Sequence, residues 1–349
     1  MFAISAAISH AVAVTPEICT LTVVVSGSVA FDHIMVFPGH FEDHILPDKI
    51  HILNVSFLVD SLDRLRGGVA GNIAYSLGLL RQPVRVVATV GTDFDSYRAE
   101  LAELGVDTSG VIVIDNELTA SAFITTDRAD NQITGFYPGA MAKAGEYAIT
   151  DALDGAEFAI VSPTAPDAMR RHVRELAESG TAYMFDPGQQ IIALPPAALR
   201  EGIEEAQILI GNDYEFAMIS EKTGLSRDDL ISSCPVVVIT YGELGSHIYV
   251  DGERQEIPAV APGAVVDPTG AGDGYRAGLM AARLAGLPWD AAGRVGSMAA
   301  TFVVEVKGTQ SHTYSFTEFA NRFDIEFPDY AGVLDAFGRR LDLAVQQGE

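Results

Sequence analysis

Basic residues are scarce in this chain. Lys and Arg total 22 against 47 Asp and Glu, a formal net charge of −25 over 349 residues. A protein that grips a phosphate backbone needs a basic face. No cluster of Lys or Arg supplies one, so nucleic acid is not an expected partner. The acidity fits an ordinary enzyme kept soluble by its charge at least as well as a protein of a high-salt cytoplasm. Cysteine is scarcer still. Cys19 and Cys234 stand in no metal-binding or redox spacing, which points to a reducing compartment. Long hydrophobic runs are absent. Val23–Val25 and Val236–Ile239 are strand-sized, far short of the roughly 20 residues that span a bilayer, so no membrane association is expected. The first twenty residues are mildly apolar but lack the basic start of a secretory signal, the first Lys or Arg anywhere being Lys49. Residues 1–21 are expected to be an N-terminal extension or the result of an early start codon, and the protein to be cytoplasmic.

Hydrophobic residues make up 48% of the chain, enough for a sizeable core. Thr22–Ser26 is β-branched and continuous, like a fully buried strand, and runs into Gly27-Ser28-Val29-Ala30-Phe31-Asp32. Gly67-Gly68-Val69-Ala70-Gly71-Asn72 opens a helix through about Leu80, and Val84–Val90 is a second buried strand. Val111–Ile114, Ala120–Thr125 and Gln132–Tyr137 alternate like exposed strands. A strand–helix rhythm follows. Strands are expected at Phe158–Val161, Ala182–Phe185, Ile208–Gly211 and Val236–Thr240, with helices at Asp167–Glu178 and after Asn212. A hairpin around Asp251-Gly252 precedes two helices near Gly270–Ala285 and Ala291–Val304. Alternating βα units predict an α/β domain whose mostly parallel sheet is covered on both faces. The half-exposed segments 33–66 and 111–137 predict a small β-sheet lid inserted into that one domain of residues 22–349.

Four motifs carry chemistry. In Asp267-Pro268-Thr269-Gly270-Ala271-Gly272-Asp273 the small residues precede a strong amphipathic helix. A helix N-terminus offers unpaired N–H groups and partial positive charge, and glycine lets a phosphate approach the backbone. Gly270, Ala271 and Gly272 would form an anion hole, with Asp273 beside it as general base. The helix dipole is expected to lower the pKa of that base. Alone, the stretch reads rather as a glycine-rich turn whose Asp caps a helix, and it is the other motifs in order that point to the anion hole. Gly67-Gly68…Asn72 suits close contact with a polyol through backbone N–H groups and the Asn72 amide, or simply a helix start with small packing residues. Asn212 and Glu215 share a helix face at i, i+3, where Glu215 could hold water on Mg²⁺ or close a capping box. Thr240, Gly242 and Gly245 end a strand where open α/β sheets bind nucleotides, or form a plain hairpin turn.

In this order the motifs resemble those of the ribokinase-like (PfkB) family of carbohydrate and purine kinases, over about Thr22 to Thr309. The resemblance implies a doubly wound α/β domain with a small β lid, ATP and Mg²⁺, and transfer to a primary hydroxyl. Within the family, Gly27–Asp32, Val55–Asp60, Phe136–Met141, Asp186–Gln190 and Asn212–Glu215 are most similar to bacterial-type adenosine kinase and archaeal nucleoside kinases. That similarity implies that Asp32 binds the ribose hydroxyls, with Gly68 and Asn72 beside it. It further implies that Phe136 stacks on the base and that Ser28, Ser56 and Gln190 line the nucleoside pocket. As in many members, the loop Glu305–Gln310 would hold a monovalent cation such as K⁺. Pro268, where the family usually has Thr, and Gly274-Tyr275, where it usually has a small residue and Phe, are departures. The expected reaction is nucleoside 5′-phosphorylation with adenosine preferred, serving purine salvage, by a homodimer joined through the lid's exposed strand edges. A sugar kinase with the same machinery, or a non-catalytic ligand-binding regulator, are the rival readings. A dinucleotide oxidoreductase is weaker, because no G-x-G-x-x-G follows the first strand.

Overall fold

The computed structural model describes residues 22–45, 51–52, 54–129 and 131–335. The expected N-terminal extension and Cys19 lie outside the described residues. The strands are β1 (Thr22–Ser26), β2 (Ala30–Val36), β3 (Ser61–Gly67), β4 (Val84–Val90), β5 (Val111–Val113), β6 (Ala120–Thr126), β7 (Gln132–Tyr137), β8 (Ala156–Val161), β9 (Tyr183–Phe185), β10 (Ile208–Asn212), β11 (Val236–Thr240), β12 (Ser246–Val250) and β13 (Glu253–Ile257). The helices are α1 (Val69–Leu79), α2 (Asp95–Glu103), α3 (Pro166–Ser179), α4 (Pro196–Glu204), α5 (Asp213–Thr223), α6 (Arg227–Ile231), α7 (Ala271–Leu284), α8 (Trp289–Val304) and α9 (Phe316–Glu326).

Nine strands form one sheet in the order β13-β12-β11-β10-β9-β8-β1-β4-β5, parallel from β11 through β5. Its central strands read as unbroken apolar runs because both faces are covered. Side chains alternate across a strand, and the sequence supplies a hydrophobe to each layer. Val23, Val25, Ile208, Ile210, Val236 and Val238 pack with α1, α7 and α8. Val24, Leu209, Val237 and Ile239 pack with α3, α4 and α5. Each such side chain contributes roughly 1.5–3 kcal/mol on burial. The antiparallel β12–β13 pair closes the far edge through Asp251 and Gly252 at φ 50° and 85°, the left-handed pair that a two-residue hairpin turn requires.

From β1 the sheet runs one way to β4 and the other way to β8. This reversal of strand order opens a crevice at the carboxyl ends of the strands. A second sheet, in the order β3-β2-β6-β7, covers it. This lid differs from expectation in one strand. Val111–Val113 lies in 111–137 but pairs in parallel with β4 at the edge of the large sheet, and its alternation reflects edge exposure rather than lid membership. Across the lid, Leu65, Asp32, Ala122 and Phe136 stand in one register row, so their side chains share a face. Among the described residues no helix is long and apolar enough to cross a membrane.

Candidate active site

The crevice is a cavity of about 930 Å³. Its lining follows from the topology, because each central strand delivers a residue at its carboxyl end. Ser28 follows β1, Pro163 follows β8, Asp186 follows β9, Asn212 ends β10 and Thr240 ends β11. The lid contributes Asp32 and Phe136 from above. The N-termini of α1 and α7 contribute Gly68, Asn72, Gly270, Gly272 and Asp273, and Gln190, Gly242 and Glu215 also line it as expected.

Three expected residues stand apart. Ser56 is exposed and is not among the cavity's lining residues; it sits in the irregular stretch 54–59 that leads into β3, where no strand register holds its side chain to the lid's inner face. Ala271 and Gly245 line a neighbouring apolar cleft of about 350 Å³, together with Val260, Val265 and Ala300. The Ala271 N–H turns to Pro268 O at 3.3 Å, so the donors left free at this helix start are the N–H groups of Gly272 and Asp273, which have no acceptor within the helix.

Both helix starts need glycine. Gly68 and Gly270 precede the first turns of α1 and α7 at φ 88° and 82°, a region L-residues rarely adopt. A Cβ on Gly68 would stand 2.6 Å from Ser28 O and Ala30 N, and one on Gly67 would collide with the Asp32 carboxylate. The Gly-Gly pair therefore lets the β3–α1 turn pack against the β1–β2 connection and leaves room for the acid. Gly68→Ala is expected to cost at least about 1–3 kcal/mol from backbone strain, read as a lower urea midpoint. An unchanged midpoint would contradict the geometry.

Asp273 is half-buried in the first turn of α7. Its carboxylate accepts a hydrogen bond from Asn72 Nδ2 at 2.8 Å, which replaces the helix-capping alternative. A relay orients that amide. Gln310 Nε2 donates to Asn72 Oδ1 at 2.8 Å and also to the Tyr97 hydroxyl, which in turn donates to Gly67 O at 2.9 Å. With Oδ1 occupied, the NH₂ of Asn72 faces Asp273. The helix dipole does not set this pKa. Burial pushes Asp273 up to about 7, aided by Asp186 and Glu215 and opposed by Arg276 and the Asn72 bond. Desolvation of a carboxylate outweighs the partial charge of a helix end. The result is a carboxyl group poised to change protonation near neutrality.

Asp32, half-buried beneath the lid, is likewise raised to about 6, chiefly by burial and then by Asp267. Asp267 itself accepts from Thr269 N at 3.0 Å and Gly308 N at 2.9 Å, tying the glycine turn to the loop Glu305–Gln310. Asn212 and Glu215 form a full capping box: Asn212 Oδ1 accepts from Glu215 N and Glu215 Oε2 from Asn212 N, each at 2.8 Å. That box leaves Oε1 of Glu215 beside the cavity. The Thr240–Gly245 stretch is the antiparallel connection between β11 and β12, so the hairpin reading and cavity lining both hold for Thr240 and Gly242. Sequence reasoning missed Asp186, Arg276 and Thr309 as lining residues. A signal existed for two of them. Asp186 directly follows a buried strand, near the place Asn212 holds on its own strand, and Arg276 stands one turn after Asp273 on the same helix face.

Residues 26–315 match the pfkB family carbohydrate kinase. The chain is 36% identical over 307 residues to a nucleoside kinase of Methanothermobacter thermautotrophicus, covering 86% of this chain and 95% of that protein. It superposes on Burkholderia thailandensis nucleoside kinase in complex with inosine with a TM-score of 0.79 at 38% identity, covering 88% of this chain and 98% of that one. For the same enzyme in complex with ADP-inosine the TM-score is 0.77 at 39% identity, with 88% and 96% covered.

Proposed function

The chain belongs to the pfkB carbohydrate kinase family, with its ribokinase-like α/β fold, and from that premise we propose that it phosphorylates the 5′-hydroxyl of a nucleoside with ATP. Membership makes it a phosphotransferase with a hydroxyl acceptor. The observation that carries the nucleoside reading is the lid row. Asp32 and Phe136 project from one face with the small Ala122 between them, over the cavity that holds Asp273. A carboxylate can accept two vicinal hydroxyls, and an aromatic face suits a base. Phe136 is 54% exposed, which leaves its ring available to a ligand rather than spent on packing. The relatives' nucleoside kinase activity and the inosine complexes support a purine nucleoside. Adenosine is the acceptor we expect to be preferred, in purine salvage.

In this reaction the 5′-oxygen attacks the γ-phosphorus in line, Asp273 takes its proton, and the N–H groups of Gly272 and Asp273 stabilise the charge on the transferring oxygens. Mg²⁺ would be held through water by Glu215 Oε1 beside Asn212, an oxygen donor set of the kind Mg²⁺ accepts, and supplies neutralisation of phosphate charge when bound. K⁺, where used, would sit in the loop Glu305–Gln310. With its pKa near 7, Asp273 must lose its proton to act. The activity kcat/KM is therefore expected to rise with pH through about 7 and level off above, and a flat profile from pH 5 to 8 would remove Asp273 as base.

The deciding experiment is an ADP-release assay across adenosine, inosine, guanosine, cytidine and ribose, with and without K⁺. Turnover of ribose in preference to every nucleoside would overturn the reading. The outer lid strands β3 and β7 each pair on one side only, and we expect these edges to be covered in a homodimer. A monomer by sedimentation velocity would refute that arrangement.

A further inference from the structure

Among the described residues, one cation lines the main cavity, Arg276, amid Asp32, Asp186, Asp213, Glu215 and Asp273. It is buried, and so is its partner Asp186. Arg276 Nη2 donates to Asp186 Oδ1 at 2.7 Å, and Nε lies 2.6 Å from Asp186 Oδ2. One hydrogen bond from Nη2 and a close ion-pair contact at Nε hold this edge of the guanidinium and leave Nη1 at the anion hole, where a Cβ on Gly272 would stand 2.7 Å from it. The glycine thus makes room for a guanidinium nitrogen beside the backbone that offers the free N–H groups.

Stability does not account for the pair. Desolvating two ions costs several kcal/mol each, and buried pairs are commonly replaced by apolar side chains without loss of stability. A planar guanidinium held by a carboxylate along one edge and facing an anion hole on the other is suited to phosphate oxygens. We infer that Arg276 is a catalytic residue, donating from Nη1 to the transferring phosphoryl group, and that Asp186 is the positioning residue that fixes its orientation. The inference rests on the phosphoryl-transfer reading of this cavity. As the bond from the γ-phosphorus to the bridging oxygen breaks and the bond to the acceptor oxygen forms, the acceptor's proton passes to Asp273. Arg276 gains and loses no proton, and stabilises the charge on the phosphoryl oxygens.

The test is the full chain carrying Arg276→Met together with Asp186→Leu, which removes both charges and leaves no orphaned buried ion. It is assayed with ATP, Mg²⁺ and the acceptor that the wild type turns over fastest. The expected loss in kcat is about 10²–10³-fold, the cost of a lost donor to the developing charge. KM for the acceptor and affinity for ADP should hold within about threefold, while affinity for ADP with aluminium fluoride, a mimic of the transferring group, should fall in step with kcat. Arg276→Lys, which keeps the charge but loses the fork, should fall between the two and carries the test if the double variant does not fold. A kcat within about threefold of wild type in the double variant, or in Arg276→Lys when that variant stands alone, overturns the inference. So does a parallel fall of kcat, ADP affinity and acceptor affinity, which marks damage to the site. A wild type that uses ribose instead of nucleosides refutes the acceptor assignment alone, and the same comparison is then made with ribose.

Discussion

Asp273→Asn is expected to lower kcat by about 10²–10⁴-fold, the usual contribution of a positioned general base, while ATP and nucleoside affinities stay near wild type. The amide is the same size as the carboxylate and keeps an oxygen that can accept from Asn72, so the relay through Gln310 and Tyr97 has no reason to collapse. A companion readout separates lost chemistry from lost structure. In the native state Asp273 is raised to about 7 by burial, well above an unfolded carboxyl. A group raised on folding contributes its stability while protonated and loses that contribution as pH climbs from the unfolded value through the folded one. The wild type therefore carries a penalty at pH 8 that the variant lacks. The Tm difference should favour the variant at pH 8 and shrink towards pH 4–5. A variant with near-normal turnover would remove the base assignment. One that is less stable at pH 8 would show that the carboxylate holds the fold rather than strains it.

The second large effect is at Asp32. If its carboxylate accepts both ribose hydroxyls, Asp32→Ala removes two charge-assisted hydrogen bonds of about 1.5–3 kcal/mol each, so kcat/KM for the nucleoside should fall about 10²–10⁴-fold. The loss should depend on the hydroxyls. Wild type should lose most of its advantage when offered a 2′,3′-dideoxynucleoside, whereas the variant should handle the two acceptors nearly alike. Equal discrimination by both proteins would take the diol contact away from Asp32. Its raised pKa of about 6 adds a sign. Below that pH the carboxyl is neutral and the bonds lose their charge assistance, so KM should climb as pH falls through about 6 in the wild type and stay flat in the variant.

How far these residues were legible depends on what made them recognisable. Asp273 follows glycines at a helix start, Gly67-Gly68 mark the start of α1, and the β-branched runs announce buried strands. Each is a property of a few consecutive residues, and each has its place in the structure. The elements drifted by a residue or two at their ends, as with β8, which begins at Ala156 rather than Phe158. Errors came where the deciding neighbour is distant. Val111–Val113 looks like a lid strand until β4 claims it, and Ser56 belongs to a familiar motif but lies outside the cavity.

By itself, then, the sequence determined the α/β alternation, the helix that carries Asp273 and the glycines at its start, because backbone conformation and hydrophobic periodicity are local. Tertiary structure decided the electrostatics. Asn72 meets Asp273 across 201 positions and Asp186 meets Arg276 across 90. Desolvation by residues so far apart in the chain turns the expected lowering of the Asp273 pKa into a rise to about 7. Charge burial depends on which segments close over a group, and no window of sequence contains that information.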